Sequence, residues 1–319
     1  MELIKISCKD PKFNKITDNN TFNNNDYQGL QLLLLLFTFI ILLFLSIYKY
    51  NLQDNIEISN YIIIIIIVGI IIIYKVYNNP IHILYAVSSI LTYFIRTPEF
   101  LDKDVYFPKY KIFENPTNFI KLKEEVNNML QLTNNGNELG LTRDSYSGAN
   151  YDIGIDVKED KNKVRAWRIL NIKAGDTYSK DAIDHFPFLV KLLDGMPEIV
   201  SCVISILEEG VKIPIHTGYY KGIMRFMVPI IVPKDKDNVF LCVNRIKYHW
   251  KEGETVLWDD NYPHKVYNNT DEIRIVIYMD VKRPFTGFAQ IFNDTIIKLI
   301  SNSDMIKKEI KKTEIQVKI

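Results

Sequence analysis

Residues 272–281 read EIRIVIYMDV, a mostly apolar run with an arginine near its start. Side chains of a β-strand point alternately to its two faces, which puts Arg274, Val276 and Tyr278 on one face and three isoleucines on the other. Because both faces are otherwise largely apolar, we predict a strand that is covered on both sides. Arg274 is then buried, and a buried guanidinium is costly unless an anion pairs with it.

Two kinds of anion could meet Arg274. No carboxylate of the same strand is expected to reach it. A bound anionic ligand is one candidate, because a guanidinium matches a carboxylate in a bidentate geometry. An aspartate or glutamate from a distant part of the chain is the other, and the residues alone leave both open.

The sequence around this run predicts a mainly β domain. Further short β-like runs, separated by polar turns, occupy residues 164–172, 200–207, 223–232, 239–243 and 255–258. Many short strands at this spacing are typical of an antiparallel sandwich or barrel. Amphipathic spacing predicts flanking helices at 118–132 and 187–193, and a C-terminal amphipathic helical tail over 286–319.

The N-terminal third has a different character. Residues 1–29 contain an Asn-rich stretch and are predicted to be disordered, and residues 30–95 are predicted to form a transmembrane or interfacial helical segment. Residues 30–48 are an uncharged run of 19 residues, enough to cross a hydrocarbon core of about 30 Å. A second span is predicted at about 58–77, although its isoleucines also suit a buried strand.

The membrane topology follows from the number of spans. Two spans would place both termini in the cytosol, and this is the arrangement we favour for the C-terminal domain. A single span would place that domain on the opposite side. In either case the membrane is an expected partner. Nucleic acid is not, because 39 Lys and Arg against 38 Asp and Glu give a net charge of only +1.

Two histidines are candidates for metal binding. His216 and His264 each lie at the edge of a predicted strand, and each is followed at a similar distance by an arginine, Arg225 and Arg274. Two neutral imidazoles could form a site for Fe(II), Zn or Cu. They could equally be ordinary histidines next to arginines paired with distant carboxylates, and the residue pattern does not separate these hypotheses.

Residues 201–284 resemble the aspartyl/asparaginyl β-hydroxylase family of Fe(II)- and 2-oxoglutarate-dependent oxygenases. The matching text runs in order along the chain: Ser205, the triplet His216-Thr217-Gly218, Arg225 in GIMRFMVPIIVP, the block WDDNYPHKV at 258–266 and Arg274 in IRIVIYMDV. Looser similarity extends to Trp167 and to Arg283-Pro284.

The resemblance implies a fold and a set of ligands. It implies a double-stranded β-helix, a cupin-like jelly-roll, over residues 98–285. It implies that His216 and His264 bind Fe(II), and that Arg274, assisted by Ser205 and Arg225, binds the cosubstrate 2-oxoglutarate. The reaction it implies uses O2 to hydroxylate an unactivated C–H bond.

Three further positions bear on this expectation. Asp260 is a candidate catalytic-site residue that could hold the His264 imidazole, or could be a solvated turn carboxylate. Gly218 stands where most such oxygenases have an acidic ligand, a reduction that this family shares, and it leaves room for another anion. Met227 stands where family members usually carry a histidine two residues after the arginine, and methionine cannot donate a hydrogen bond.

The substrate is the least determined feature. The family name favours the β-carbon of Asp or Asn in a protein substrate. The N-terminal apolar runs and the segment YYKGIMRF also resemble the membrane-bound branch, which hydroxylates lipid acyl chains. Met227 raises a third hypothesis, a catalytically degenerate jelly-roll that serves as a membrane-anchored binding module.

Overall fold

The structure, a computed structural model, describes residues 94–133 and 167–301, together with isolated residues at 84–92, 159–160 and 163–164. Within these residues no helix is both long and apolar enough to cross a membrane. The predicted tail 1–29 and the predicted spans 30–48 and 58–77 lie outside the described residues, and the predicted tail 286–319 is described only as far as residue 301.

Two antiparallel sheets form the body of the described chain. The strands are β1 Glu159–Asp160, β2 Lys163–Val164, β3 Trp167–Ala174, β4 Thr177–Tyr178, β5 Ile199–Leu207, β6 Lys212–His216, β7 Ile223–Ile231, β8 Val239–Val243, β9 Ile246–His249, β10 Val256–Trp258, β11 His264–Asn268 and β12 Arg274–Lys282. The larger sheet has the order β10-β7-β12-β5-β3-β4 and the smaller sheet the order β6-β11-β8-β9, while β1 pairs with β2 alone.

Strand β12 lies in the interior of the larger sheet, between β7 and β5. Arg274 is paired with Leu207 of β5, and Tyr278 is paired with Met227 of β7. All of its residues from Arg274 to Val281 are buried. The prediction of a strand covered on both faces is therefore confirmed, and with it the burial of Arg274.

Helices precede, interrupt and follow the strands, and those at residues 103–132 and 180–194 contribute to the core on the outer face of the larger sheet. They are α1 Lys103–Tyr106, α2 Lys111–Glu114, α3 Pro116–Leu132, α4 Lys180–His185, α5 Pro187–Asp194 and α6 Phe288–Ser301, with a 3-10 turn at Pro108–Tyr110. Asn115 begins α3, because its side chain accepts hydrogen bonds from the free N–H groups of Thr117 and Asn118. The buried carboxylate of Glu125 accepts from two N–H groups in the first turn of α5, which fixes α3 against α5.

The two faces of the larger sheet bury different cores. The outer core joins α3 and α5 to the sheet through Phe226, Ile277 and their neighbours. The inner core lies between the two sheets and is rich in aromatic residues. Its members include Trp167, Val203, Leu207, Met227, Val243, Tyr248, Trp250, Trp258, Val276 and Tyr278. The inner face of β12 therefore looks into a space lined by both sheets.

The predicted mainly β architecture with flanking helices is confirmed. Observed strands lie within one to three residues of each predicted run, and helices α3 and α5 match the predictions at 118–132 and 187–193. Strands β6, β9 and β11 were not assigned from the sequence, because each has at most five residues and carries polar side chains among its apolar ones. The expected positions of His216 and His264 at strand edges are confirmed, since they end β6 and begin β11.

The chain divides into two units. The first comprises Met1–Asn19, Thr97–Gly218 and Gly222–Ile319, and the second comprises Asn20–Arg96 with Tyr219–Lys221. In the second unit, Leu84 and Ser88 are buried helical residues. The hydroxyl of Ser88 accepts a hydrogen bond from the backbone N–H of Lys221.

The aromatic contact between helices and sheet gives a stability prediction. Phe226 is fully buried and packs against the rings of Phe107 and Phe113, at centroid distances of 4.9 and 5.5 Å. Truncation of Phe226→Ala should lower the free energy of unfolding by about 3–5 kcal/mol. The control Ile183→Ala, at a position 61% exposed, should change it by less than about 0.5 kcal/mol. Denaturant unfolding measures both, and equal effects would contradict the assigned core.

Candidate active site

His216 and His264 are neighbours on adjacent strands of the smaller sheet. They are directly paired residues of the antiparallel strands β6 and β11, and their ring centroids lie 4.0 Å apart. Forty-eight residues of chain separate them, so only strand pairing brings the two rings together. The structure thus confirms that the two imidazoles converge, which the sequence could only suggest.

The hydrogen bonds of the two rings leave one nitrogen of each available. Nδ1 of His216 lies 2.8 Å from the Pro214 carbonyl, and Nδ1 of His264 lies 2.8 Å from the Tyr262 carbonyl. A carbonyl can only accept, so each Nδ1 carries the hydrogen and each Nε2 keeps a lone pair. This tautomer is the one in which Nε2 can bind a metal ion.

Burial keeps both imidazoles neutral. The pKa of His216 is lowered to about 4, mainly by desolvation and less by the nearby charge of Arg225, against the opposing effect of the Pro214 hydrogen bond. Desolvation and the neighbouring His216 ring lower the pKa of His264 well below its ordinary value. Both rings are therefore in the deprotonated form that metal binding requires, with no proton to displace near neutral pH.

A network of charges surrounds Asp260, close to the histidines in sequence. Arg225 donates to Oδ2 of Asp260 at 2.9 Å, and its Nε lies 3.0 Å from Oδ1 of Asp280. Ser201 donates to the other oxygen of Asp280. Desolvation raises the pKa of Asp260 to about 6, against the opposing effect of Arg225. The cationic charge of Arg225 is thus shared between two buried carboxylates.

The sequence left two environments open for Asp260, a contact with the His264 imidazole and a solvated turn. Nδ1 of that ring is bonded to the Tyr262 carbonyl, and Asp260 is buried, so its carboxylate is neither the acceptor for Nδ1 nor solvated. Its carboxylate instead lies over Gly218, whose backbone N–H donates to the Asp260 carbonyl at 2.6 Å. The short path of the chain from Tyr262 to His264 explains the bond of Nδ1, since the nearest acceptor for the ring is a carbonyl two residues away.

The placement of Asp260 leaves no room for a side chain at Gly218. A Cβ at this position would lie 2.5 Å from the Cγ of Asp260, closer than real Cβ atoms approach other heavy atoms. The Asp260 carboxylate therefore occupies the space in which a side chain of residue 218 would lie, the position at which most such oxygenases carry an acidic ligand. Within the described residues, no group of three or more His, Cys, Asp or Glu side chains could together hold a metal ion, so the histidines form a two-residue donor set.

Arg274 is buried without a counter-charge. Its side chain is fully buried, and neither Nε nor Nη2 has a hydrogen-bond partner in the described part of the chain. Its guanidinium carbon lies 5.4 Å from the ring centroid of Trp250. Desolvation lowers its pKa to about 9, which still leaves it protonated near neutral pH. Of the two anions that the sequence left open for Arg274, the described chain supplies none.

Other hydrogen-bond donors of the inner core also lack partners. The buried atoms without one include Nε1 of Trp250, Nε1 of Trp258 and the hydroxyl of Tyr248. Ser205, predicted to assist Arg274, lies in β5 opposite Val276 and accepts a hydrogen bond from Trp167 at 2.9 Å. Buried donors without acceptors are rare in folded proteins, and several lining one space indicate a ligand rich in acceptor atoms.

A second buried ion pair fixes the loop before His264. Nη2 of Arg283 donates to Oδ2 of Asp259 at 3.0 Å, and both side chains are almost fully buried. The hydroxyl of Thr97 donates to the same oxygen. The loop that presents Asp260 and leads into His264 is thereby held at one end by a charge-assisted contact.

Sequence reasoning gave no role to Asp280, Trp250 or Trp258, although Trp258 opens the matched block at 258–266. For Asp280 the signal was present, because strand alternation places it on the same face as Arg274. The two tryptophans gave no comparable signal, since an indole in a β-run is most often a core residue. Only the facing of the two sheets shows that their N–H groups lack acceptors.

The contact between Gly218 and Asp260 gives a prediction. Gly218→Ala should lower the free energy of unfolding by about 1–3 kcal/mol, because the added methyl overlaps the Asp260 carboxylate. Gly195→Ala is the control, since a Cβ there would meet its nearest atom at 3.5 Å. Thermal unfolding compares the two variants. A Gly218→Ala protein as stable as the control variant would contradict the observed placement of Asp260.

Comparison with known proteins adds independent information. A profile of the aspartyl/asparaginyl beta-hydroxylase family matches residues 117–284, more than half of the chain. An ornithine lipid ester-linked acyl 2-hydroxylase from Rhizobium tropici is 29% identical over 168 residues, which are 53% of this chain and 59% of the relative. The human aspartyl/asparaginyl beta-hydroxylase is 25% identical over 138 residues, which are 41% of this chain and 18% of the relative.

Solved structures with a similar arrangement of strands are more distant. A Pseudomonas putida prolyl-4-hydroxylase is 13% identical with a TM-score of 0.35, covering 54% of this chain and 90% of that chain. A cupin 2 conserved barrel domain protein from Salinispora arenicola is 13% identical with a TM-score of 0.26, covering 46% of this chain and 91% of that chain. The family profile therefore carries the identification. Its match includes the larger and the smaller sheet, both histidines and Arg274. The chain belongs to the aspartyl/asparaginyl beta-hydroxylase family.

Proposed function

We propose that the protein is an Fe(II)- and 2-oxoglutarate-dependent dioxygenase that hydroxylates an unactivated C–H bond. His216 and His264 would hold the iron through their Nε2 atoms, and Arg274 would bind the far carboxylate of 2-oxoglutarate. The observation that carries the proposal is the buried Arg274 guanidinium without a partner, in the same inner space as other unpartnered donors. A dicarboxylate supplies the charge and the acceptor atoms that this space lacks.

The donor set fits the metal that the family implies. Two neutral imidazoles with their Nδ1 atoms fixed by backbone carbonyls are suitable ligands for Fe(II). When bound, iron and the 2-oxo acid supply the activation of O2 for C–H hydroxylation. With Gly218 in place of an acidic ligand, the two histidines would be the protein's ligands to the ion, and the Asp260 carboxylate lies against the glycine.

The chain's own residues bind, orient and exclude water. Arg274 and Trp250 form one end of the inner space, where the low dielectric strengthens contact with an anion. Ser205 lies on the neighbouring strand, where its hydroxyl can contact the same anion. Arg225 is expected to act by fixing Asp260 and Asp280, and its predicted direct contact with 2-oxoglutarate would require sharing its charge with a third carboxylate.

We infer an acyl chain of a membrane lipid as the first candidate substrate. The Rhizobium tropici relative named as a lipid hydroxylase matches a larger share of both chains than the human relative does. Met227 also gives the inner wall an apolar side chain where the family usually has an imidazole. The predicted apolar spans at 30–48 and 58–77 would hold such a site next to its substrate.

The β-carbon of Asp or Asn in a protein is the second candidate, supported by the family name and by the human relative. Succinate release from 2-oxoglutarate, measured in turn with phospholipid or ornithine-lipid vesicles and with Asp- and Asn-containing peptides, distinguishes the two candidates. If neither substrate stimulates succinate release, both candidate substrates are wrong and the hydroxylase acts on another substrate. No turnover and no binding of 2-oxoglutarate would favour a degenerate binding module.

The metal ligands give one prediction. His216→Ala should lower the affinity for Fe(II) or Mn(II) by at least about 100-fold and abolish succinate release that depends on substrate, because one imidazole cannot hold the ion alone. His249→Ala is the control, since His249 lies in an exposed hydrogen bond at the end of β9. Equilibrium metal binding and succinate measurement test both variants. Substrate-coupled turnover by the His216→Ala protein would refute the proposal.

Arg274 gives a second prediction from the proposed function. Arg274→Met should abolish the stabilisation by 2-oxoglutarate, yet leave the ligand-free protein equally stable or more stable, because the substitution removes a buried charge with no partner. Arg168→Met is the matched control, because Arg168 is paired with the buried Glu208 at 3.2 Å. The control should lose about 3–5 kcal/mol of stability. An equal loss in Arg274→Met would show that Arg274 has a structural role.

A further inference from the structure

We propose that the indole N–H of Trp258 donates a hydrogen bond to the carboxylate of the 2-oxo acid at the histidine end of the site, in place of the imidazole that this chain lacks at position 227. The inference rests on the proposed function and gives a ligand-binding role to the first residue of the matched block at 258–266, to which the resemblance assigns none. Its basis is the placement of Trp258 relative to His264, Arg225 and Met227.

Trp258 has a buried donor without an acceptor. Its side chain is 1% exposed, and its Nε1 has no hydrogen-bond partner in the described part of the chain. An indole N–H that is buried in a folded protein nearly always has an acceptor, and one left without it is costly. The N–H of Trp258 therefore indicates an acceptor that the described residues do not provide.

The position of Trp258 is next to the metal-binding histidines. It is the last residue of β10 and belongs to the inner core between the sheets. Its ring meets the ring of His264 edge to face, with centroids 4.6 Å apart and planes at 77°. An acceptor that reaches the indole N–H would thus lie on the inner side of the sheets, close to the His264 ligand.

Met227 explains why a donor is needed there. Strand β10 pairs with β7 so that Val256 faces Met227 and Trp258 faces Arg225. Trp258 and Met227 are therefore diagonal neighbours on one face, a separation that a long aromatic side chain can bridge. The resemblance to the family predicts an imidazole at position 227, and methionine has no hydrogen to donate.

Arg225 is poorly placed to replace that imidazole. Its guanidinium is bonded to Asp260 and lies in an ion pair with Asp280, both of them buried. Turning it toward a third carboxylate would leave one of these carboxylates without its counter-charge, which is strongly unfavourable in a buried site. Trp258 needs no such exchange, because its N–H is already unpartnered.

The other unpartnered donors form a second group. Arg274 lies over the ring of Trp250, whose own N–H has no partner. The Trp250 N–H thus lies beside Arg274, and the Trp258 N–H lies beside His264. A molecule with a carboxylate at each end satisfies both groups, whereas a monocarboxylate satisfies only one. The proposed ligand class at Trp258 is therefore the 2-oxo acid end of a dicarboxylate.

The test is a double-mutant cycle on the full chain, purified in detergent and loaded with Mn(II) in place of Fe(II). Calorimetry measures the dissociation constant of 2-oxoglutarate for the unsubstituted protein, Trp258→Phe, Met227→His and the double variant. Phenylalanine keeps the ring beside His264 and removes only the donor. The dissociation constant should rise about tenfold or more in Trp258→Phe, the size expected for one hydrogen bond to a charged group.

The double variant separates donation from packing. In the Trp258→Phe background, Met227→His should recover most of the lost affinity, because it returns a donor to the neighbouring strand. In the unsubstituted background the same change should alter affinity by less than about threefold, because that carboxylate already has its donor. The affinity for Mn(II) alone should be the same in all four proteins.

The outcomes distinguish the failure of this inference from the failure of the proposed function. If the unsubstituted protein binds no 2-oxoglutarate with Mn(II), both are overturned. If it binds and Trp258→Phe binds equally well, only the assignment of Trp258 is overturned. A parallel loss of Mn(II) affinity in Trp258→Phe, without recovery by Met227→His, would show that Trp258 only packs against His264 and would also overturn it.

Discussion

The constraint on which the site depends is a buried charge at the start of an interior strand, for which the described residues supply no counter-charge. Arg274 lies in an interior strand that is buried on both faces, where a guanidinium is stable only next to an anion. The three other buried or largely buried arginines that the structure describes near this core are each paired: Arg168 with Glu208, Arg225 with two aspartates and Arg283 with Asp259. The contrast sets Arg274 apart from these arginines and is the basis for proposing it as a ligand-binding residue.

The same pairing shapes the surroundings of the proposed metal site. Asp260 is held by Arg225, and its carboxylate fills the space over Gly218, where a side chain would otherwise project. The ion pair of Arg283 with Asp259 fixes the residue that precedes Asp260. Two ion pairs therefore place the loop that leads into His264, while the histidine pair itself is set by strand register.

The inner core joins these features into one space. Its walls are aromatic and aliphatic, and its unpartnered donors lie next to Arg274 at one place and next to His264 at another. Such a space favours a ligand that is charged at both ends and has little contact with water in between. Met227 provides no hydrogen-bond donor near the histidines, where the family usually has an imidazole. The Trp258 N–H is a donor that this part of the inner core keeps.

The sequence by itself determined the secondary structure and the residue types of the site. Alternation in EIRIVIYMDV was sufficient to predict a strand buried on both faces with Arg274 inside, and the order of the histidines and arginines was sufficient to indicate the family. Both follow from local periodicity and from motif text, which need no knowledge of distant contacts.

Only the tertiary structure decided which charges meet. Strand pairing brings His216 to His264, and the loop conformation places Asp260 on Arg225, a partner that the sequence did not indicate. Among the described residues, the tertiary structure also provides no hydrogen-bond partner for Nε and Nη2 of Arg274 or for the Trp258 N–H, a property of the packing between two sheets that no single strand contains. The physical reason is that a hydrogen bond or an ion pair depends on a separation of about 3 Å between atoms, and chain spacing does not fix that separation for residues on different strands.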